Sequence, residues 1–189
     1  MKLFKTLALL LISSVMYSQE PCPVEGAGKN DKDKAANKLK NREVVANKTI
    51  NTKVTLQAVL VKGEDSQRFN QNDYVVINGY CVEVKQGGQE SCNCESKIDS
   101  LQDNHIYIGL TPNAKKEDCM IVEITPRFKK LNPGFNLKTF VGKKINIYGY
   151  LFYDAEHKGN AKNTCKVCTN VWRASVVEVH PVVKIELAK

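Results

Sequence analysis

Hydrophobic and polar positions alternate most regularly over Asp73–Gln86, DYVVINGYCVEVKQ. Val76, Asn78, Tyr80, Val82 and Val84 fall on one parity; Val75, Ile77, Gly79, Cys81 and Glu83 fall on the other. Period-two spacing with β-branched and aromatic residues predicts a long, half-buried strand. Gly79 interrupts it and predicts a bulge or sharp bend at that point. Four later segments carry the same pattern. His105–Leu110 turns Ile106, Ile108 and Leu110 inward and His105 and Tyr107 outward. Cys119–Thr125 turns Met120, Val122 and Ile124 inward and Glu123 outward. Lys144–Asp154 sets Ile145, Ile147 and Leu151 against Tyr148, Tyr150 and Phe152, with a bend at Gly149. Trp172–Leu187 turns Val177, Val179, Val183, Ile185 and Leu187 inward and Glu178, His180 and Lys184 outward, and Pro181 requires an edge or a bulge near its middle. Thr52–Val61 also alternates and predicts an additional edge strand.

The order is strand, long loop, strand, tight turn, strand, irregular or helical link, strand, long loop, strand. One helical turn is expected near Leu137–Val141. This order predicts an all-β chain with minor α content, folded as a five- to six-stranded OB-like Greek-key barrel over residues 52–189. Its two long loops, Gly87–Asn104 and Ala155–Val171, flank the face that such barrels use for binding.

The first 19 residues read as a secretory signal peptide. Lys2 and Lys5 precede an apolar run, and Ser18 stands near a cut that falls after Ser18 or Gln19. No second hydrophobic run follows, so no membrane span is expected and the mature chain is placed in the periplasm or outside the cell. Cys22 lacks the small-residue lipobox of a lipid anchor. Residues 20–51 read as a flexible, lysine-rich tail with marginal helical character over Ala35–Val45 and few large apolar residues.

Charge sharpens this picture little. The net charge is +8, falling to +6 without Lys2 and Lys5, and part of the excess sits on the tail. An anionic partner is compatible with it. The chain shows no Walker loop, no Gly-x-Ser-x-Gly, no His-Glu-x-x-His and no dinucleotide fingerprint.

The seven cysteines matter more. Cys92-x-Cys94 lies in the first long loop and Cys165-x-x-Cys168 in the second. Export permits disulfides within or between these loops. Four thiolates meeting across the loops would instead suit tetrahedral zinc. An odd count leaves at least one thiol free, bridged to another chain or bound to metal.

Three sets of side chains carry candidate chemistry. His105, Glu123, Asp154, Glu156, His157 and His180 combine imidazole and carboxylate, the donors of a divalent cation and of acid–base catalysis. A hairpin turning near Asn113 sets His105 opposite Glu123. Tyr107, Tyr148, Tyr150 and Phe152 offer rings for stacking bases or sugars. Arg127 and Arg173 stand at strand ends, as candidates for phosphate contact.

Several segments in combination resemble an uncharacterised family of exported bacterial OB-fold-like proteins. They are LKNR at Leu39–Arg42, GYCVEVKQGGQESCNC at Gly79–Cys94, HIYIGL at His105–Leu110 and VEITPR at Val122–Arg127. GYLFYDAEH at Gly149–His157 and WRASVVEVHPVVKIEL at Trp172–Leu187 complete the set. The resemblance covers most of the mature chain and implies fold and export, not an activity. The family's pattern includes Cys92, Cys94, His105, Glu123, Arg127, Asp154, Glu156, His157, Arg173 and His180. This chain departs from it in having Val177 where the pattern has tryptophan, and Cys165 and Cys168 lie outside the pattern.

These features lead to an exported OB-fold module that binds an anionic or sugar-like polymer, nucleic acid or glycan. The alternatives are a metal-dependent phosphodiesterase or nuclease built on the histidine–carboxylate set, with zinc or another divalent cation, and a structural domain of the envelope.

Overall fold

The computed structural model describes residues 22–43 and 48–189. The expected signal peptide lies outside the described residues. The strands are β1 (Tyr74–Gln86), β2 (Asn104–Gly109), β3 (Met120–Ile124), β4 (Lys144–Tyr153) and β5 (Val177–Leu187). They close a barrel in the order β1-β2-β3-β5-β4, with β1 pairing both β2 and β4. All pairs are antiparallel except β3 with β5. This is the OB-like barrel that the strand order predicts. Inside it, Val75, Ile77, Ile106, Ile108, Val122, Ile145, Leu151 and Val179 form one core.

Bulges reset the alternation in two places. The break in β1 lies between Cys81 and Glu83 rather than at Gly79. Gly79 is instead a point of close packing, where a Cβ would stand 2.6 Å from Ile108 and Leu56. In β5, register shifts facing Gly149 move the core position from Val183 to Val182. Each extra residue in a strand exchanges its two faces. Val183 is therefore half-buried, while Ile185 keeps its expected place in the core and Leu187, the last residue of the strand, is exposed.

Two segments depart from the sequence reading. Thr52–Val61 does not add a strand. Thr55 caps a short helix, α2 (Leu56–Leu60), by accepting from the Ala58 amide, and Leu56 and Val59 are buried at helical spacing. The stretch read as a tail carries a helix, α1 (Asp31–Lys40), capped by Asn30 and running from acidic to basic in the sense that suits a helix dipole. It is held by polar contacts rather than by an apolar face. A disulfide joins Cys22 to Cys94. Asn37 donates to Glu25 O at 2.9 Å, and Asn41 donates to Cys92 O at 2.8 Å and Val24 O at 3.1 Å. Arg42 donates to Leu151 O at 2.9 Å. A short helix, α3 (Asp65–Arg68), brings the buried Asp65 to the β4–β5 loop, where it accepts from Thr164 and Ser175, each at 2.7 Å. The remaining helix, α4 (Pro126–Leu131), follows β3, with a 3-10 turn at Leu137–Phe140.

The bulge opposite Gly149 is tightly packed: a Cβ there would stand 2.4 Å from Val179 Cγ1 and 2.5 Å from Pro181 O. Gly149→Ala is expected to destabilise the barrel by about 1–3 kcal/mol. Urea denaturation measures this; an unchanged midpoint would show that β4 and β5 do not approach so closely.

Candidate binding cleft and its ionic floor

Alternation in β2, β3, β4 and β5 directs a set of polar side chains onto one outer face of the barrel. His105 stands opposite Glu123 across the β2–β3 hairpin, as expected. The parallel pairing of β3 with β5 brings Glu123 beside His180 and Glu178. A continuous ionic chain results. His105 Nε2 is 3.2 Å from Glu123 Oε1 and 3.8 Å from Glu90 Oε1. His180 Nδ1 is 3.1 Å from Glu123 Oε2 and hydrogen-bonds Glu178 Oε1 at 3.2 Å. Arg173 donates to Glu178 Oε2 at 3.0 Å and to Asp154 Oδ2 at 2.7 Å. Asp154 Oδ2 also meets His157 Nδ1 at 2.6 Å.

This face is roofed. Lys40 pairs with Glu90 at 2.8 Å and lies 5.4 Å from the centre of the Phe152 ring. The Arg42 guanidinium lies 4.7 Å from the centre of the Tyr150 ring. Tyr150 and Phe152 are therefore buried, and they do not form the open stacking platform that their outward parity suggests. Tyr107 is buried with Cys119 and Ile121, edge-on to Trp172. Tyr148 is turned toward Glu186 and Lys184, away from the ionic chain. The two arginines expected to meet phosphate are engaged internally. Arg127 donates to Asn41 and to Cys22 O, and Arg173 is wholly occupied by Asp154, Glu178 and the Ser175 carbonyl.

The four loop cysteines do not converge on a zinc clip. Cys94 pairs with Cys22, and Cys165 pairs with Cys168 within its own loop. Cys92 is a free, buried thiol, as are Cys81 and Cys119. The C-x-C spacing splits because Cys92 points to the ionic floor while Cys94 meets the N-terminal segment.

Between α1, the two long loops and the barrel lies an open cleft of about 1380 Å³. Glu90, His105, Glu123, Asp154, Glu156, His157 and Arg173 line it together with Trp172. His180 and Glu178 lie behind this wall, fully buried. Three participants escaped the sequence reading: Glu90, Asp103 and Lys40. Asp103 is buried, with Cys92 Sγ 3.9 Å from its Oδ2. Its signal was parity: it precedes His105 by two residues and continues the outward side of β2. Lys40 gave no such signal, because it belongs to the segment read as a tail.

Burial and charge compete across the floor. Burial opposes protonation of His105 and His180, but nearby carboxylates outweigh it. Glu123 and Glu90 raise His105 to about 9, and Glu123, Glu178 and Asp103 raise His180 to about 10. Burial pushes Glu123 up, yet His105 and His180 hold it down at about 2. Burial raises Asp103 to about 7 against the pull of His180. Glu178 rises through burial and the neighbouring Glu123 and Asp154 carboxylates.

A scan against protein-family models finds no match, and no curated protein matches the sequence. Among the described residues no helix is long and apolar enough to cross a membrane.

Arg173→Met is expected to cost about 3–5 kcal/mol, because it removes the buried cation shared by Asp154 and Glu178 and leaves each carboxylate with an imidazole as its remaining partner. Chemical denaturation reads this directly, and a loss below about 1 kcal/mol would deny the network a structural role. A pH effect follows from His157, whose folded pKa is raised by its hydrogen bond to Asp154. Its stabilisation is complete below the unfolded value of about 6.5 and is lost as pH rises through the folded value. The stability gap between the native chain and His157→Gln should narrow with rising pH. A gap that widens would mean that the pair holds a neutral imidazole.

Proposed function

We propose that the protein is an exported binding module that takes a saccharide-like polymer into the cleft between α1 and the barrel. The observation that carries this reading is the chemistry of the lining. Ser66, Gln67, Asn70, Gln71 and Gln89 supply amides and a hydroxyl that match sugar hydroxyls as donors and acceptors. Trp172, half-buried between Tyr107 and His157, supplies an apolar ring surface. Lysines 29, 32 and 40 and Arg68 are matched by Asp33, Asp73, Glu90, Glu95 and Glu156. A polyphosphate entering the cleft would meet these carboxylates, and the two arginines that suggested phosphate are already paired. Nucleic acid is thus the weaker form of the anionic-or-sugar expectation. Two disulfides fit an oxidising compartment, which supports export.

A second reading, hydrolysis within the same cleft, draws on the Asp154–His157 pair. Asp154 engages Nδ1 of a half-buried imidazole and leaves Nε2 available as a base. Turnover of a bound glycan or phosphodiester that His157→Ala abolishes would support it; turnover unchanged in that variant would place the chemistry elsewhere.

A glycan array followed by calorimetry tests the binding reading. Trp172→Ala should weaken the best ligand by about tenfold or more, ~1.4 kcal/mol, while Tyr148→Ala, outside the cleft, leaves it unchanged. Affinity should vary little with salt. Oligonucleotide binding that falls steeply with salt, with no glycan bound, would overturn the proposal.

A further inference from the structure

The buried part of the ionic floor contains atoms that the protein itself does not satisfy. Asp103, Glu123 and His180 are 1%, 4% and 0% exposed. Asp103 Oδ1 and His180 Nε2 have no hydrogen-bond partner, while Glu123 Oε2 and His105 Nε2 have only ion-pair contacts, at 3.1 Å to His180 Nδ1 and 3.2 Å to Glu123 Oε1, without hydrogen-bond geometry. Leaving such groups unpaired costs about 1–3 kcal/mol each, more when they are charged. Their concentration in one place points to a missing partner rather than to chance.

We propose that Asp103, Glu123 and His180 form a binding site for one divalent first-row transition metal ion of the zinc class. One donor atom from each residue lies within 4.8 Å of the others. His180 Nε2 is 3.9 Å from Asp103 Oδ2, a separation that one ion bound to both atoms at about 2 Å can span.

The other imidazole nitrogen fixes which atom faces the ion. His180 Nδ1 is hydrogen-bonded to Glu178 and lies 3.1 Å from Glu123 Oε2, which leaves Nε2 as the nitrogen without a partner, and Glu178 is in turn held by Arg173. A carboxylate behind a ligating histidine sets its tautomer and aims the free nitrogen at the metal. The charge balance points the same way. With the imidazoles neutral, as ligation requires of His180, five carboxylates (Glu90, Asp103, Glu123, Asp154 and Glu178) surround two permanent cations, Lys40 and Arg173. A divalent ion offsets two of the three excess negative charges.

The donor set selects the class of ion. An imidazole nitrogen with two carboxylates suits zinc, manganese or cobalt, whereas calcium and magnesium favour all-oxygen shells. Three protein ligands leave a coordination position free, and Glu123 and His105 line the cleft beside it. This assignment is independent of what the cleft binds.

The test is calorimetric titration of the chelator-stripped full mature chain with zinc, manganese and cobalt, with absorption spectra recorded for cobalt. One equivalent should bind, and millimolar magnesium or calcium should not displace it. Asp103→Asn and His180→Gln should lose stoichiometric binding. Glu178→Gln, which keeps all three ligands, should weaken binding by about 10- to 100-fold. Circular dichroism confirms that each variant is folded. Should the ligand variants not fold, Glu178→Gln and the cobalt spectrum of the native chain decide. Binding of none of the three ions, or equal binding in native protein and Glu178→Gln, would overturn the site. Thiolate-to-cobalt charge-transfer absorption would overturn it too, by moving the ion to Cys92.

Discussion

The Arg173 guanidinium, wholly buried between Asp154 and Glu178, is the interaction on which the rest of this structure depends. Moving each charge out of water costs several kcal/mol, and only close, multiple partners recover it. Arg173 has them: two carboxylates and the Ser175 and Val176 carbonyls. It joins the end of β4 to the start of β5 and fixes Glu178, which positions His180; His180 lies against Glu123, and Glu123 against His105. The outer face of an OB-like barrel, ordinarily left open for a ligand, is here a layer of opposed charges.

Such a layer requires a cover that is itself polar. The segment from Cys22 to Arg42 meets that need. It is pinned at one end by the disulfide to Cys94 and at the other by Asn41 and Arg42, which reach the backbone at Cys92 and Leu151. Lys40 extends over Phe152 to Glu90 and closes the charge balance from above. Because the cover spans only part of the face, a cleft remains between it and the two long loops. Its walls come from both the barrel and the cover, so the site does not exist in the barrel alone.

The barrel was legible in the sequence because period-two alternation reports burial, and the strand order leaves few ways to close it. The same alternation placed His105 opposite Glu123. It failed where a bulge exchanged the faces, as at Val182 and Val183, since one inserted residue leaves no hydrophobic signature. It failed more seriously for α1. A segment with Leu39 as its only large apolar residue looks unable to order itself, yet a disulfide and buried amide contacts replace the missing hydrophobic area. Cysteine spacing gave no pairing for Cys22, because connectivity depends on where the chain returns in space. Of the four aromatic residues read onto one face, Tyr107 and Tyr148 lie apart from Tyr150 and Phe152, and the burial of the latter two was not legible, since what covers them comes from the opposite end of the chain.

The central claim is that the N-terminal segment is fastened across the charged face of the barrel and thereby makes the cleft. Disulfide mapping of the non-reduced, alkylated protein by mass spectrometry tests it most directly. The account predicts a peptide linking Cys22 to Cys94, a second bridge between Cys165 and Cys168, and Cys92 recovered as a free thiol once the chain is unfolded. Cys22 recovered alkylated, or a bridge between Cys92 and Cys94, would leave the segment unfastened and contradict the account.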